Sequence, residues 1–211
     1  MTLYSWLSRC VITSLFLFII FNVNAQDGPE LINLNSSFED GFIGWGQYID
    51  AAAGADFDIS KDAIEGKECA HAKVTKISGT NWHVGLTQDG LTLRADQYHT
   101  IDFFAKADVK RIISIELKRS PGLGAWEGIT DLDLTINEEW DEYSHNFTPG
   151  MDYKQAALFA FWLGQEKGDV WIDSVRIYEG KKQERKELTL PKSVMADGKL
   201  VTVWAMIKTS N

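Results

Sequence analysis

Glu39 and Asp173 are the residues with the clearest capacity for chemistry in this chain of 211 residues. Each sits in a short segment that brackets the folded part of the sequence: N-S-S-F-E-D-G-F-I-G-W from Asn35 to Trp45, and G-D-V-W-I-D-S-V-R-I from Gly168 to Ile177. A hard cation such as calcium takes about six to eight oxygens, so two carboxylates can hold one only with backbone carbonyls to complete the shell. The same carboxylates can instead accept backbone N–H groups at turns, and both readings stand on the sequence.

The second set of candidates is aromatic. Of eight tryptophans, Trp6 lies near the start, and Trp45, Trp82, Trp126, Trp140, Trp162, Trp171 and Trp204 are spread through the rest. Tryptophan offers a flat apolar face and one N–H donor, which suits the C–H face of a sugar ring as well as a core. Catalysis finds less support. His71, His83, His99 and His145 are scattered without ligand spacing, and no Ser-His-Asp order or phosphate-binding glycine loop occurs. Glu138 and Glu139 are adjacent, so on a strand they point oppositely and cannot flank a bond as acid and base. Glu116 with Asp131 or Asp133 could lie about 5 to 9 Å apart on one face, the separation glycoside hydrolysis uses, but nothing selects that pair over solvated charges. Cys69 has no partner arrangement for nucleophilic catalysis and reads as a small buried residue.

Strands must position these groups. Ile113, Ile115 and Leu117 alternate with Ser114, Glu116 and Lys118, which predicts a half-buried strand with the first set in the core. Phe159, Phe161 and Leu163 alternate in the same way with Leu158, Ala160 and Trp162. Val170 to Ile177 is expected to put Trp171, Asp173, Val175 and Ile177 on one side. Further strands are expected at Leu31 to Asn35, Ala70 to Val74, Trp82 to Thr87, His99 to Ala105, Asp131 to Ile136 and Glu142 to Phe147. Gly79, Asp89-Gly90, Pro121-Gly122 and Pro149-Gly150 punctuate them. No segment keeps a helical period. The pattern is all-β: about ten short antiparallel strands forming one sandwich with a real core.

Strand parity then distributes the candidates. Trp162 falls opposite Phe159, Phe161 and Leu163 and so on the outer face, where an exposed indole favours a binding role. Glu116, Lys118, Asp102, Phe104 and His83 point outward on neighbouring strands. Together, Trp162, Phe104, Glu116 and His83 would line a shallow groove, with Gln88 as another hydroxyl partner. Trp82 shares parity with Val84 and Leu86, which points to the core. Trp126 lies in the loop S-P-G-L-G-A-W-E-G, where little core is at hand, and reads as a loop platform.

The flanks set the context. Met1 to Ala25 carries one charge, Arg9, an apolar run from Val11 to Phe21 and a small residue before Gln26, which fits a cleaved secretory signal. That run is short of the roughly 20 residues a membrane span needs. Cleavage would remove Cys10, leaving Cys69 alone, and would remove the single positive charge of Arg9, taking the net charge from −9 to −10. An acidic surface without a basic stripe argues against nucleic acid or anionic lipid as a partner. The domain is expected over residues 26–180. Residues 181–211 then read as a charged linker and a short apolar tail, Leu200 to Ile207, which would dock on the module, add a strand to a partner, or serve export or attachment.

Four segments in order carry a resemblance: the Asn35 to Trp45 opening; Tyr98 with I-D-F-F-A-K-A-D from Ile101 to Asp108; E-E-W-D-E-Y-S-H-N-F-T from Glu138 to Thr148; and F-W-L-G-Q-E-K-G-D-V-W-I-D-S-V-R from Phe161 to Arg176. They resemble carbohydrate-binding modules of the CenC-like group, families 4, 9 and 22. The resemblance covers about Leu31 to Glu179. It implies a β-jelly-roll sandwich of the galactose-binding-domain-like type that binds β-glucan, xylan or a related glycan, usually beside a glycoside hydrolase. It also implies a structural calcium held by Ser37 and Glu39, a carbonyl at Lys67 and Asp173. Ser174 stands where many relatives carry a second acid, and Gly85 where many carry a polar outward side chain. The resemblance places Trp45, Trp140 and Trp171 in the core or at its edges, and it implies a sugar-contacting aromatic near Trp82, against the parity reading of that residue. The chain is therefore expected to be a secreted, non-catalytic carbohydrate-binding module. The alternatives are a glycoside hydrolase and a surface adhesion module.

Overall fold

The computed structural model describes residues 29–123 and 126–185. The expected signal, residues 1–25, and the tail beyond Arg185 lie outside them. Ten strands run β1 (Gly46–Ile49), β2 (Gly54–Ser60), β3 (Cys69–Lys76), β4 (Val84–Leu93), β5 (His99–Ala107), β6 (Arg111–Arg119), β7 (Gly128–Ile136), β8 (Asp141–Phe147), β9 (Tyr153–Trp162) and β10 (Gly168–Glu179). They form two antiparallel five-stranded sheets: a first sheet in the order β1-β4-β9-β6-β7, and a second in the order β2-β3-β10-β5-β8. Among the described residues the helical content is one 3₁₀ turn, Asn81–His83, and no helix is long and apolar enough to cross a membrane.

The core lies between the sheets and follows the two-residue period. Ile113, Ile115 and Leu117 of β6, Phe159 and Phe161 of β9, and Ile101, Phe103 and Ala105 of β5 are all buried in one cluster. Trp45 joins it, packing on Phe38 at 5.1 Å between ring centroids and on Phe159 and Phe161 at 6.3 Å. Its Nε1 donates to the Asn35 carbonyl. Trp45 is thus a core residue, as expected.

Three expectations change. The segment from Leu31 to Asn35 makes only a bridge, Leu31 with Tyr178. Asn33 takes over the ladder, with its Nδ2 donating to the Val175 carbonyl and its Oδ1 accepting from Ile177 N–H, while Asn35 turns into the left-handed region at φ 46°. Strand β10 does not keep one parity, because a bulge lies between Asp173 and Arg176, with Ser174 at φ 51°. One extra residue moves every later side chain to the other face. Trp171 therefore stands outside the second sheet, while Val175 and Ile177 are core residues. Finally, in the stretch expected as a charged linker, Lys181 to Glu184 are exposed but Arg185 docks on the sandwich. Arg185 lies over the outward ring of Phe104 at 4.7 Å and pairs with Asp102 and Glu142, so this strap crosses the outer face of the second sheet.

Candidate functional site

The outer face of the first sheet is built from side chains in cross-strand register. Tyr48, Gly85, Trp162, Ser114 and Asp133 form one row across β1, β4, β9, β6 and β7. Gly46, Thr87, Ala160, Glu116 and Asp131 form the next. Trp162 lies along the sheet rather than standing off it. A Cβ on Gly85 would come within 2.6 Å of its Cε3, so only a glycine leaves room for the indole. At its other end the Trp162 Nε1 donates to Glu116 Oε2 at 2.6 Å. The glycine that departs from the family pattern is thus the seat of the tryptophan.

Trp162 is only 6% exposed. With Leu158 and Ala160 it forms a small apolar floor on the outer face. Lys118 covers this floor, its Nζ 4.6 Å from the Trp162 ring centroid, 4.9 Å from that of Trp126 and 3.0 Å from Glu116 Oε2. The exposed aromatics stand around it. Trp126 is 67% exposed, Trp82 46% and Tyr48 40%. Trp82 sits on the 3₁₀ turn rather than at the start of β4, and this removes it from the core parity its sequence position suggested. It stacks on Tyr48 with centroids 6.3 Å apart and 26° between planes. Asn81 fixes the turn to the sheet, with Nδ2 donating to Ser114 Oγ and Oδ1 accepting the Trp82 N–H. Ser114 Oγ in turn donates to Asp133 Oδ1.

His83 lies next to this group without facing into it. Its Nδ1 is 2.7 Å from Ser78 Oγ, and its ring meets Trp82 edge to face at 4.2 Å, so it braces Trp82. Gln88 is a correction: its parity is inward with Leu86, and its amide holds the Leu34 backbone, accepting from Leu34 N–H at 2.7 Å and donating to Leu34 O at 3.0 Å. Phe104 is another. It points outward, but from β5 of the second sheet, where Arg185 covers it, so it cannot share a groove with Trp162. Tyr48 and Asn81 were missed. Tyr48 belongs to a strand of four exposed residues with no apolar alternation, which gives a periodicity reading nothing to find.

Trp171 and Trp140 stand on the second sheet's outer face, partly buried. One face of Trp171 stacks on His71 at 4.8 Å, and Lys106 Nζ lies 5.0 Å from its ring and 5.3 Å from that of Trp140. Lys106 thus spans both rings, while the Trp140 Nε1 is buried without a hydrogen-bond partner among the described residues. The carboxylates on β6 and β7 also argue for recognition over catalysis: Glu116 is committed to Lys118 and Trp162, and Asp133 to Ser114.

Glu39 and Asp173 converge on one loop. Asp173 is fully buried; its Oδ2 accepts the N–H groups of Ile64 and Glu65 at 2.9 Å, and its Oδ1 that of Ser174 at 2.6 Å. Burial pushes its carboxyl up to about 7 even though those three donors pull the other way. Glu39 Oε1 accepts from Lys67 N–H at 2.6 Å and Glu68 N–H at 2.9 Å. Gly66, at φ 66°, lets Glu39 approach, since a Cβ there would come within 2.7 Å of the Glu39 carboxyl carbon. Among the described residues no group of three or more His, Cys, Asp or Glu side chains is arranged to hold a metal. Nearby, Cys69 is fully buried, and burial pushes its thiol up to about 12, leaving it inert.

A two-sheet antiparallel sandwich with aromatic side chains gathered on one sheet face is the architecture of a carbohydrate-binding module. The chain belongs to the family CBM_4_9, described as carbohydrate binding domain, whose profile matches residues 32–169. It is thus a carbohydrate-binding module, a non-catalytic type of domain. No curated protein matches it significantly. Among solved structures, one described as "CBM4 structure and function" superposes with TM-score 0.59 at 21% identity, covering 71% of this chain and 99% of its own. The N-terminal cellulose-binding domain of Cellulomonas fimi β-1,4-glucanase C gives 0.51 at 15% identity, covering 69% and 95%. The CBM22-1 xylan-binding domain from Paenibacillus barcinonensis Xyn10C gives 0.50 at 16% identity, covering 70% and 94%. At these identities the likeness is one of fold.

Proposed function

We propose that the outer face of the first sheet binds a neutral polysaccharide of the β-glucan or xylan kind, outside the cell, without cleaving it. The observation that carries this reading is the ring of exposed aromatics, Trp82 on Tyr48 and Trp126, around the Trp162 floor. Sugar C–H faces stack on such rings, and Asp131, Asp133 and Asn81 supply hydroxyl partners at the rim. The family's domains and two structural neighbours, one cellulose-binding and one xylan-binding, support the same ligand class. Export is read from the leader at residues 1–25. Each good stack contributes about 1 kcal/mol, so affinity for one chain falls between about micromolar and millimolar. A glycan array with the mature protein tests the reading. Trp82→Ala and Trp126→Ala should each weaken binding about fivefold to tenfold, with no reducing sugar released. Retained binding in both variants would move the site elsewhere.

A structural calcium is the second element of the proposal. Glu39 and Asp173 would hold it with the carbonyls of Ser37 and Lys67, tying the opening segment to β10. The convergence of both carboxylates on the 63–68 loop supports it, and among the described residues Glu39 Oε2 makes no hydrogen bond. When bound, the ion supplies positive charge between the buried Asp173 and the exposed Glu39. Excess calcium should raise the unfolding temperature of chelator-treated protein by several degrees, and an unchanged transition would exclude the ion.

A further inference from the structure

The Trp162 indole has the sheet and Gly85 against one face, which leaves one face for a ligand. Lys118 occupies it. Its ammonium lies over both Trp162 and Trp126, and Glu116 Oε2 at 3.0 Å holds it there. The lysine side chain is itself only 13% exposed, so the contact is largely shielded from water. Cation–π attraction and a charge-assisted pair both strengthen when desolvated. We infer that Lys118 is a latch: its ammonium covers the stacking face of Trp162 in the free protein, and a sugar ring reaches that face only by driving it off.

This inference rests on the glycan reading of the same face. Its physical content is a competition. A sugar ring on Trp162 gains a stack, but it must first separate Lys118 from two indoles and a carboxylate. The latch therefore makes Trp162 contribute less to affinity than its position implies, and the exposed Trp82 and Tyr48 form the first contact.

Titration calorimetry of the full chain with cellohexaose and xylohexaose tests this, comparing wild type with Lys118→Ala and Lys118→Arg. Acrylamide quenching of tryptophan fluorescence without glycan provides a second measurement. Lys118→Ala should bind at least one hexaose about fivefold to thirtyfold more tightly, the range expected from losing a desolvated cation–π contact. Its tryptophans should also be more readily quenched. Lys118→Arg keeps the cation and should bind no more tightly than wild type. If wild type binds and Lys118→Ala binds equally or more weakly, the latch is wrong while the glycan reading stands. If neither protein binds either hexaose or any glycan on the array, both fall.

Discussion

Replacing Asp173 with alanine is expected to cost about 3 to 5 kcal/mol of folding stability. The carboxylate is fully buried and is the shared acceptor for Ile64, Glu65 and Ser174 N–H groups. An orphaned buried donor costs about 1 to 3 kcal/mol. The Glu65 amide is only partly buried and can recover water, so the three penalties will not add in full. The loss reaches beyond the loop, because Asp173 also begins the β10 bulge whose register puts Val175 and Ile177 in the core. Asp173→Asn keeps acceptor oxygen for part of the set and should cost about half as much. Urea unfolding of the three proteins measures this. A midpoint for Asp173→Ala within about 1 kcal/mol of wild type would show that the loop satisfies its donors without Asp173.

Gly85→Ala should be the most damaging small substitution on the proposed glycan face. Its φ is not in the left-handed region, so backbone conformation is not the reason. The reason is space: the new Cβ would meet the benzo ring of Trp162, a rigid ring confined by the sheet on one side and Lys118 on the other. Lifting the indole breaks its bond to Glu116 and uncovers Ala160 and Leu158. Overpacking of this kind costs about 1 to 3 kcal/mol. For a domain near 150 residues each kcal/mol lowers the melting temperature by about 2 to 4 °C. Glycan affinity should fall in the same variant. A melting temperature within 1 °C of wild type, with unchanged affinity, would mean that Trp162 has another seat.

The alternation of β6 made its share of the core readable from sequence, since Ile115 lies between Ser114 and Glu116, and β9 follows the same two-residue period. The same alternation put Trp162, Glu116 and Lys118 outside together, and the structure joins them. Parity assigns a face but not a sheet, which is why Phe104 was grouped with Trp162 although it lies on the far side of the molecule. It also assumes an unbroken strand. The bulge at Ser174 and the 3₁₀ turn at Trp82 break that assumption, and neither has a glycine or proline at the break to announce it. Gln88 could not be read because its partner, the Leu34 backbone, is distant in sequence. The convergence of Glu39 and Asp173 was legible from their places at the two ends of the fold. That Glu39 Oε1 and Asp173 Oδ2 each accept N–H groups of the 63–68 loop was not, because main-chain donors leave no mark in the sequence.

The strap from Lys181 to Arg185 has a mechanical consequence. Arg185 is moored to Asp102, Glu142 and the Ser174 carbonyl, and Asp102 is also gripped by Arg176 and the Tyr178 hydroxyl. Tension on the chain continuing past Arg185 is therefore taken first by this mooring, on the back of the sandwich. The load has to peel the strap before it reaches the β10 ladder, and it does not cross the sheet that carries Trp162. A glycan on the face proposed to bind it and a pull applied past Arg185 would thus load opposite sheets of the sandwich.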